Sequence, residues 1–123
     1  LVEAGLLGRK AKRGYYDYRS HATAPEPNTD RALGVRVVDR VVAMLINEAV
    51  DALYLRVATA ADIEVAMTKG VNYPKGLLAW GDEIGSAEVF ARLAALQEEY
   101  GEDRYRPSPL LRRLANERAR ILA

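Results

Sequence analysis

Between residues 30 and 57 the apolar positions come too densely for a single helical stripe. Val37, Val38, Val41, Val42, Met44, Leu45, Ile46, Val50 and Leu53 recur at helical spacing but cover more than one face. The segment predicts a helix of roughly 40 Å at about 1.5 Å per residue. A helix greasy on several faces is expected to be buried on several faces, at the centre of a bundle or at a subunit interface. A second helix follows at once: Thr59 is a good N-cap, Asp62 suits a variant of the capping box, and Gly70 is expected to close it as the residue after its last turn. Beyond a loop with Asn72, Tyr73 and Pro74, a short helix over 77–84 should end at Gly85. Ser86 is placed to cap the next helix, with Val89, Leu93 and Leu96 on one face and Gly101 as its stop. Pro107 breaks the chain again. Ser108 as N-cap and Pro109 at the first helical position then predict a last helix to about 122. No window alternates strictly over a strand's length, so the expected fold class is all-α, a bundle of four to five helices with one long apolar helix.

The first 29 residues read differently. Gly5, Gly8 and Gly14 punctuate a short helical turn and then an extended, β-like strip carrying Tyr15, Tyr16 and Tyr18. Pro25, Pro27 and Asn28 lie among small polar residues, which is linker composition. The expected division is an N-terminal arm and linker over 1–29 and a helical domain over 30–123. The chain starts at Leu1 rather than Met, which points to a piece of something larger.

Composition narrows the function classes. The 123 residues allow one domain with an arm and not two full ones. With 18 Lys+Arg against 17 Asp+Glu, the net charge of +1 gives no whole-molecule argument for nucleic acid or an anionic membrane as partner. The absence of cysteine excludes a disulfide scaffold, a zinc-thiolate site and a cysteine nucleophile, and is consistent with a reducing, cytoplasmic setting. Arg36, Asp39, Arg40, Asn47, Glu48 and Asp51 interrupt the long apolar stretch, so it is not an ordinary membrane span. Arg9, Lys10, Lys12 and Arg13 interrupt any signal-peptide core in the first 20 residues.

Several chemistries have no residues to carry them. His21 stands alone in the linker, without a metal-ligand cluster around it in sequence, and is expected to be a surface residue. Neither GxGxxG nor the phosphate-loop pattern GxxxxGK(S/T) occurs. The spacings Gly5-x-x-Gly8 and Gly81-x-x-x-Gly85 are too short and wrongly placed to count. Ser20, Ser86 and Ser108 lack a nearby base. The fragment alone does not look like a complete catalyst.

Two basic patches and one polar stripe remain. Arg9, Lys10, Lys12 and Arg13 form the first patch, where phosphate binding and a solvated face stand level. The second holds Arg104, Arg106, Arg112, Arg113, Arg118 and Arg120, and there the solvated face is favoured: Arg113 and Glu117 are i,i+4 partners, and cations suit a helix C-terminus. In the long helix, Arg36 and Asp39 share a face, and burying such groups unpaired costs several kcal/mol. Internal ion pairs or an exposed stripe are the favoured reading. The functional alternative is that part of the stripe lines a substrate cleft shared with another domain.

Three runs then become recognisable. Met44-Leu-Ile-Asn-Glu-Ala-Val-Asp-Ala-Leu-Tyr54, Val57-Ala-Thr-Ala-Ala-Asp-Ile63 and Ala66-Met-Thr-Lys-Gly-Val-Asn-Tyr-Pro-Lys-Gly76 together resemble the C-terminal helical domain of 3-hydroxyacyl-CoA dehydrogenases. The opening Leu7-Gly-Arg-Lys-Ala-Lys-Arg-Gly-Tyr-Tyr-Asp-Tyr18 is similar to that family's L-G-R-K-x-G-x-G-(F/Y)-Y-x-Y signature, with Ala11 and Lys12 departing from it. Tyr100-Gly-Glu-Asp-Arg-Tyr-Arg-Pro-Ser-Pro-Leu-Leu111 is similar to the R-P-S-P-L-L segment that precedes the signature in family members. Here the order is reversed. The chain therefore resembles the end of one helical repeat followed by a second, the layout of the long 3-hydroxybutyryl-CoA dehydrogenases of phenylacetate degradation.

The resemblance implies a parent enzyme that oxidises the 3-hydroxyl of a short or 3-hydroxyadipyl acyl-CoA, passing hydride to NAD. It implies a His–Glu pair and the NAD site in a nucleotide-binding domain of the same chain, outside these residues, so that this fragment binds no cofactor and no metal itself. The helical domain is implied to form a homodimer contact and to close one wall of the acyl-CoA cleft, with no nucleic-acid or membrane partner. Its substrate-contacting Asn position falls on Asp39, with Arg40 retained. Asp39, Arg40 and Lys10 are thus the candidate substrate-binding residues, and none is assigned as catalytic. An ionised carboxylate at Asp39 would repel developing alkoxide charge where a neutral amide could donate a hydrogen bond, so the repeat is expected to be a degenerate, non-catalytic copy. The alternative is a purely structural dimerisation module without substrate contact.

Overall fold

The structure is a computed structural model that describes residues 1–122. It falls into two compact units, Leu1–Asp30 and Arg31–Ala123.

In the first unit no described residue is buried. A single 3₁₀ turn, Arg9–Ala11, is closed by Lys12 in the left-handed region at φ 57°. The tyrosine strip does not form a strand. Its backbone makes two isolated antiparallel bridges, Gly8 with Arg13 and Arg13 with Asp17, because the chain doubles back too tightly to extend a ladder. Arg9 lies over the Tyr18 ring, and Tyr16 meets Tyr18 edge-on.

The second unit is all-helical, as the periodicity predicts: α1 (Arg31–Tyr54), α2 (Ala60–Val65), α3 (Leu77–Ile84), α4 (Ser86–Tyr100) and α5 (Pro109–Glu117). Helix α1 packs against α3, α4 and α5, so it is the central rod. Ile46, Val50, Leu78, Val89, Leu93 and Leu111 are fully buried around it. Burial on several faces holds only for the C-terminal half of α1. In the N-terminal half Val35, Val37, Val38 and Val41 are 51, 53, 55 and 48% exposed, because α4 flanks that part of the rod on one side only and the groove between the two stays open.

Local signals set most helix ends, with three corrections. Thr59 caps α2 as expected, its Oγ1 accepting the Asp62 N–H and donating to the Asp62 carboxylate. Gly70, however, does not end that helix. A π-helical turn over Ala66–Gly70 continues it, and Asn72 takes the left-handed conformation instead, at φ 58°. Ser86 does not cap α4. Gly85, at φ 96°, ends α3 and starts α4 at once, a conformation that suits only glycine, and the Ser86 hydroxyl donates to the Ala119 carbonyl. Ser108 holds the N-cap position of α5 with Pro109 next, yet makes no side-chain cap bond, and α5 stops at Glu117 because Arg118 turns left-handed. The following tail is tied down by Asp82, whose carboxylate accepts the Ile121 and Leu122 N–H groups at 2.6 and 3.1 Å. No helix of the described residues is long and apolar enough to cross a membrane.

Candidate functional site

Polar residues enter α1 at three levels, and packing gives each a different environment. Asn47 is the deepest, 3% exposed. Its Oδ1 accepts the Ser108 N–H at 2.7 Å and its Nδ2 donates to the Arg106 carbonyl at 3.1 Å. The amide thereby pins the 106–108 segment against α1 and satisfies backbone groups that the prolines leave outside any helix. Glu48 is exposed and Asp51 half-buried, away from any cavity wall.

The N-terminal half of α1 is where a site forms. Between it and α4 runs an open groove of about 530 Å³, lined by Arg36, Asp39 and Arg40 on one side and Arg92, Glu99 and Tyr100 on the other, with Leu33, Val37 and Leu96 between them. Asp39 and Arg40 of the expected site meet here. Lys10 lies in the first unit, exposed on its 3₁₀ turn.

Asp39 does not stand as a lone carboxylate. Its Oδ1 is 3.0 Å from Nη1 of Arg92, and Arg92 also donates from Nε to Glu88 at 2.8 Å, one turn earlier on α4. The Glu88 hydrogen bond first, and the charge of Asp39 after it, raise the Arg92 pKa above its ordinary value. A pair this exposed contributes about 0.5 kcal/mol, so its value is positional: it crosses from α1 to α4.

Arg40 is held otherwise. Its guanidinium carbon lies 4.4 Å from the Tyr100 ring centroid and 4.9 Å from that of Tyr105, and it donates to the Tyr105 hydroxyl. That hydrogen bond raises the Arg40 pKa further. Tyr105 is 2% exposed, fixed by the 3₁₀ turn Asp103–Tyr105, so the cation is anchored to a rigid wall. Arg92, Tyr100 and Tyr105 were not legible as site residues from sequence. They lie 53 to 65 positions from their α1 partners, and only the i,i+4 spacing of Glu88 and Arg92 carried a local signal.

The C-terminal arginines fit the solvated-face reading. Arg104 pairs with Glu102, Arg112 lies over Phe90, and Arg120 approaches Asp82 at 3.4 Å. Among the described residues no strand leads into a glycine-rich turn of the kind that cradles a dinucleotide's phosphates. Nor do three His, Asp or Glu side chains among them converge as a metal site would need.

A family model described as 3-hydroxyacyl-CoA dehydrogenase, C-terminal domain, matches residues 37–120. A 3-hydroxyadipyl-CoA dehydrogenase of Escherichia coli K12 is 55% identical over 76 residues, 62% of this chain and 16% of that protein. A 3-hydroxybutyryl-CoA dehydrogenase of Clostridioides difficile is 41% identical over 78 residues, 63% of this chain and 28% of its own length. In the crystal structure of 3-hydroxybutyryl-CoA dehydrogenase from Escherichia coli K12, a similar chain superposes with a TM-score of 0.76 at 29% identity, covering 96% of this chain and 43% of that one. The chain spans less than half the length of each of these relatives.

Proposed function

We propose, from the premise that the chain belongs to the 3-hydroxyacyl-CoA dehydrogenase C-terminal domain family, that it serves a longer, cytoplasmic NAD-dependent dehydrogenase as an assembly domain and forms one wall of its acyl-CoA cleft. The observation that carries this reading is the open half of α1. Val35, Val37, Val38 and Val41 stay about half-exposed on a rod whose other half is the core of the bundle. Covering each would favour association by about 1 kcal/mol. The occupant we assign is another helical domain of the same kind, from a preceding repeat or a second copy of the chain.

The groove beside those valines supports the second part. Leu33, Val37 and Leu96 offer an apolar wall and Arg36 and Arg40 offer cations, which suits an acyl chain on an anionic carrier. The substrate class we assign is a short 3-hydroxyacyl-CoA or the 3-hydroxyadipyl ester. Oxidation of the 3-hydroxyl and the site of NAD belong, in this reading, to a nucleotide-binding domain outside these residues. Asp39 has no proton to donate when ionised and already accepts from Arg92, so the groove can bound a substrate without acting on it. Lys10 is proposed as a contact to the carrier's phosphates. The same Asp39–Arg92 pair favours the second reading, a structural module without substrate contact.

The deciding experiment follows NADH-linked reduction of acetoacetyl-CoA by the longer protein, intact and truncated before residue 31. Loss of turnover in a truncated protein that stays folded is expected. Undiminished turnover would overturn the cleft role and leave only assembly.

A further inference from the structure

Arg31, Gly34, Val38, Val41, Leu45 and Glu48 follow one another along α1 at intervals of three, four, three, four and three residues, the spacing of a coiled-coil seam. All six are exposed or half-buried, while Ala43, Ile46, Asn47 and Val50, on the opposite side of the rod, are buried in the bundle. The rod therefore has two packing faces, and within this chain only one of them is covered. Apolar residues and one glycine fill the middle of the open seam, and opposite charges stand at its ends. Arg31 is the first residue of the helix, where a cation opposes the macrodipole, and the first turn holds no acidic residue to offset it. Among the described residues neither Arg31 nor Glu48 meets an opposite charge.

Resting on the reading that the chain is an assembly domain, we propose that this face is covered by α1 of a second copy of the chain, running antiparallel about a two-fold axis between positions 39 and 40. In that register Val38 meets the partner's Val41, Gly34 meets the partner's Leu45 and Arg31 meets the partner's Glu48, each contact made twice by the symmetry. A small residue faces a large one, and both charged ends of the seam are answered. Parallel helices would set Arg31 on the partner's Arg31 and Glu48 on the partner's Glu48. An antiparallel register shifted by one heptad would press Glu48 onto the partner's Val38, or Arg31 onto the partner's Val41. Burying the valines without stranding a charge thus selects the pairing centred between 39 and 40.

The test is sedimentation equilibrium of the 123-residue chain and of charge-reversed variants. Arg31→Glu and Glu48→Arg each set like charges together at both ends of the seam and should weaken dimerisation about tenfold. The double variant Arg31→Glu, Glu48→Arg restores both pairs and should recover the wild-type affinity, which a folding defect would not do. The chain has no cysteine, so an introduced pair reports orientation without background. Gly34→Cys mixed with Leu45→Cys should give a disulfide-linked dimer, and Gly34→Cys alone should not, because the two copies of position 34 would lie about 16 Å apart. Single reversals without effect, no recovery in the double variant, or cross-linking of Gly34→Cys with itself would each overturn this pairing, while a chain that still associates keeps its assembly role. A wild-type chain that stays monomeric at millimolar concentration would overturn the pairing and leave the face to the preceding repeat of a longer protein. Loss of the cleft role in the truncation experiment would leave the pairing untouched, since sedimentation reads no turnover.

Discussion

Asn47 is buried in the middle of an apolar helix, yet both ends of its amide are satisfied, by Ser108 and Arg106 some 60 positions away. Asn47→Ala removes two hydrogen bonds and strands a buried N–H and a carbonyl. It should cost about 1–3 kcal/mol, read as a lower urea midpoint with an unchanged slope. Asp17 is the opposite case, an exposed carboxylate whose pKa is held well below the carboxylate range, chiefly by the side-chain hydrogen bond from Arg19 and then by the Arg19 backbone N–H. A depressed pKa means that the contribution is present above the unfolded value and lost as pH falls through the folded one. The 17–19 turn should therefore persist while ordinary carboxylates titrate and loosen only at lower pH. Arg19→Gln should bring the Asp17 midpoint up toward that of a free aspartate, and carboxyl-detected NMR titration would show it; an unmoved midpoint would mean that Arg19 is not the cause.

Among the elements, α3 shows how close approach replaces side-chain volume. A Cβ on Gly81 would lie 2.5 Å from Cδ1 of Ile121 and 2.9 Å from Cγ2 of Ile46, so the glycine is the point where α3 touches both the rod and the C-terminal tail. Gly81→Ala raises helix propensity but overpacks this contact, and the second effect is larger: a loss of about 1–3 kcal/mol is expected in chemical denaturation. A stabilised variant would show that the tail yields. Gly81 and Gly85, whose spacing is too short for a nucleotide-binding turn, thus serve packing and the α3–α4 corner. The C-terminal tail illustrates the converse. Its residues 118–122 look helical in pattern, but the Asp82 carboxylate and the Ser86 hydroxyl satisfy its backbone better than another helical turn would, and Ile121 drops into the core.

At the scale of the whole molecule, the second unit has a finished core around one half of α1 and an open apolar face on the other. Such a face is expected to associate. The chain should show concentration-dependent mass in sedimentation, and the double substitution Val38→Lys, Val41→Lys should make it monomeric without lowering its thermal midpoint, since both residues are about half-exposed already. A wild-type chain that stays monomeric at high concentration would remove the support for the assembly role.

Fold class, helix number and most helix ends were legible in the sequence because they depend on neighbours three or four residues apart: the spacing of valines and leucines, the Thr59 hydroxyl, the ring of Pro109 and the freedom of Gly85 and Gly101. The family resemblance was legible for a similar reason, since its motifs are short contiguous runs. The sequence also singled out Asp39 and Arg40. It could not say what they touch. Arg40 finds Tyr105 and Asp39 finds Arg92 only once α4 and the 103–105 turn have packed onto the rod, and nothing within a helical turn encodes that meeting. The same holds for the valines of α1. Hydrophobicity made them apolar in any context, but whether an apolar side chain is buried depends on which element arrives to cover it, and that is decided by the tertiary structure alone.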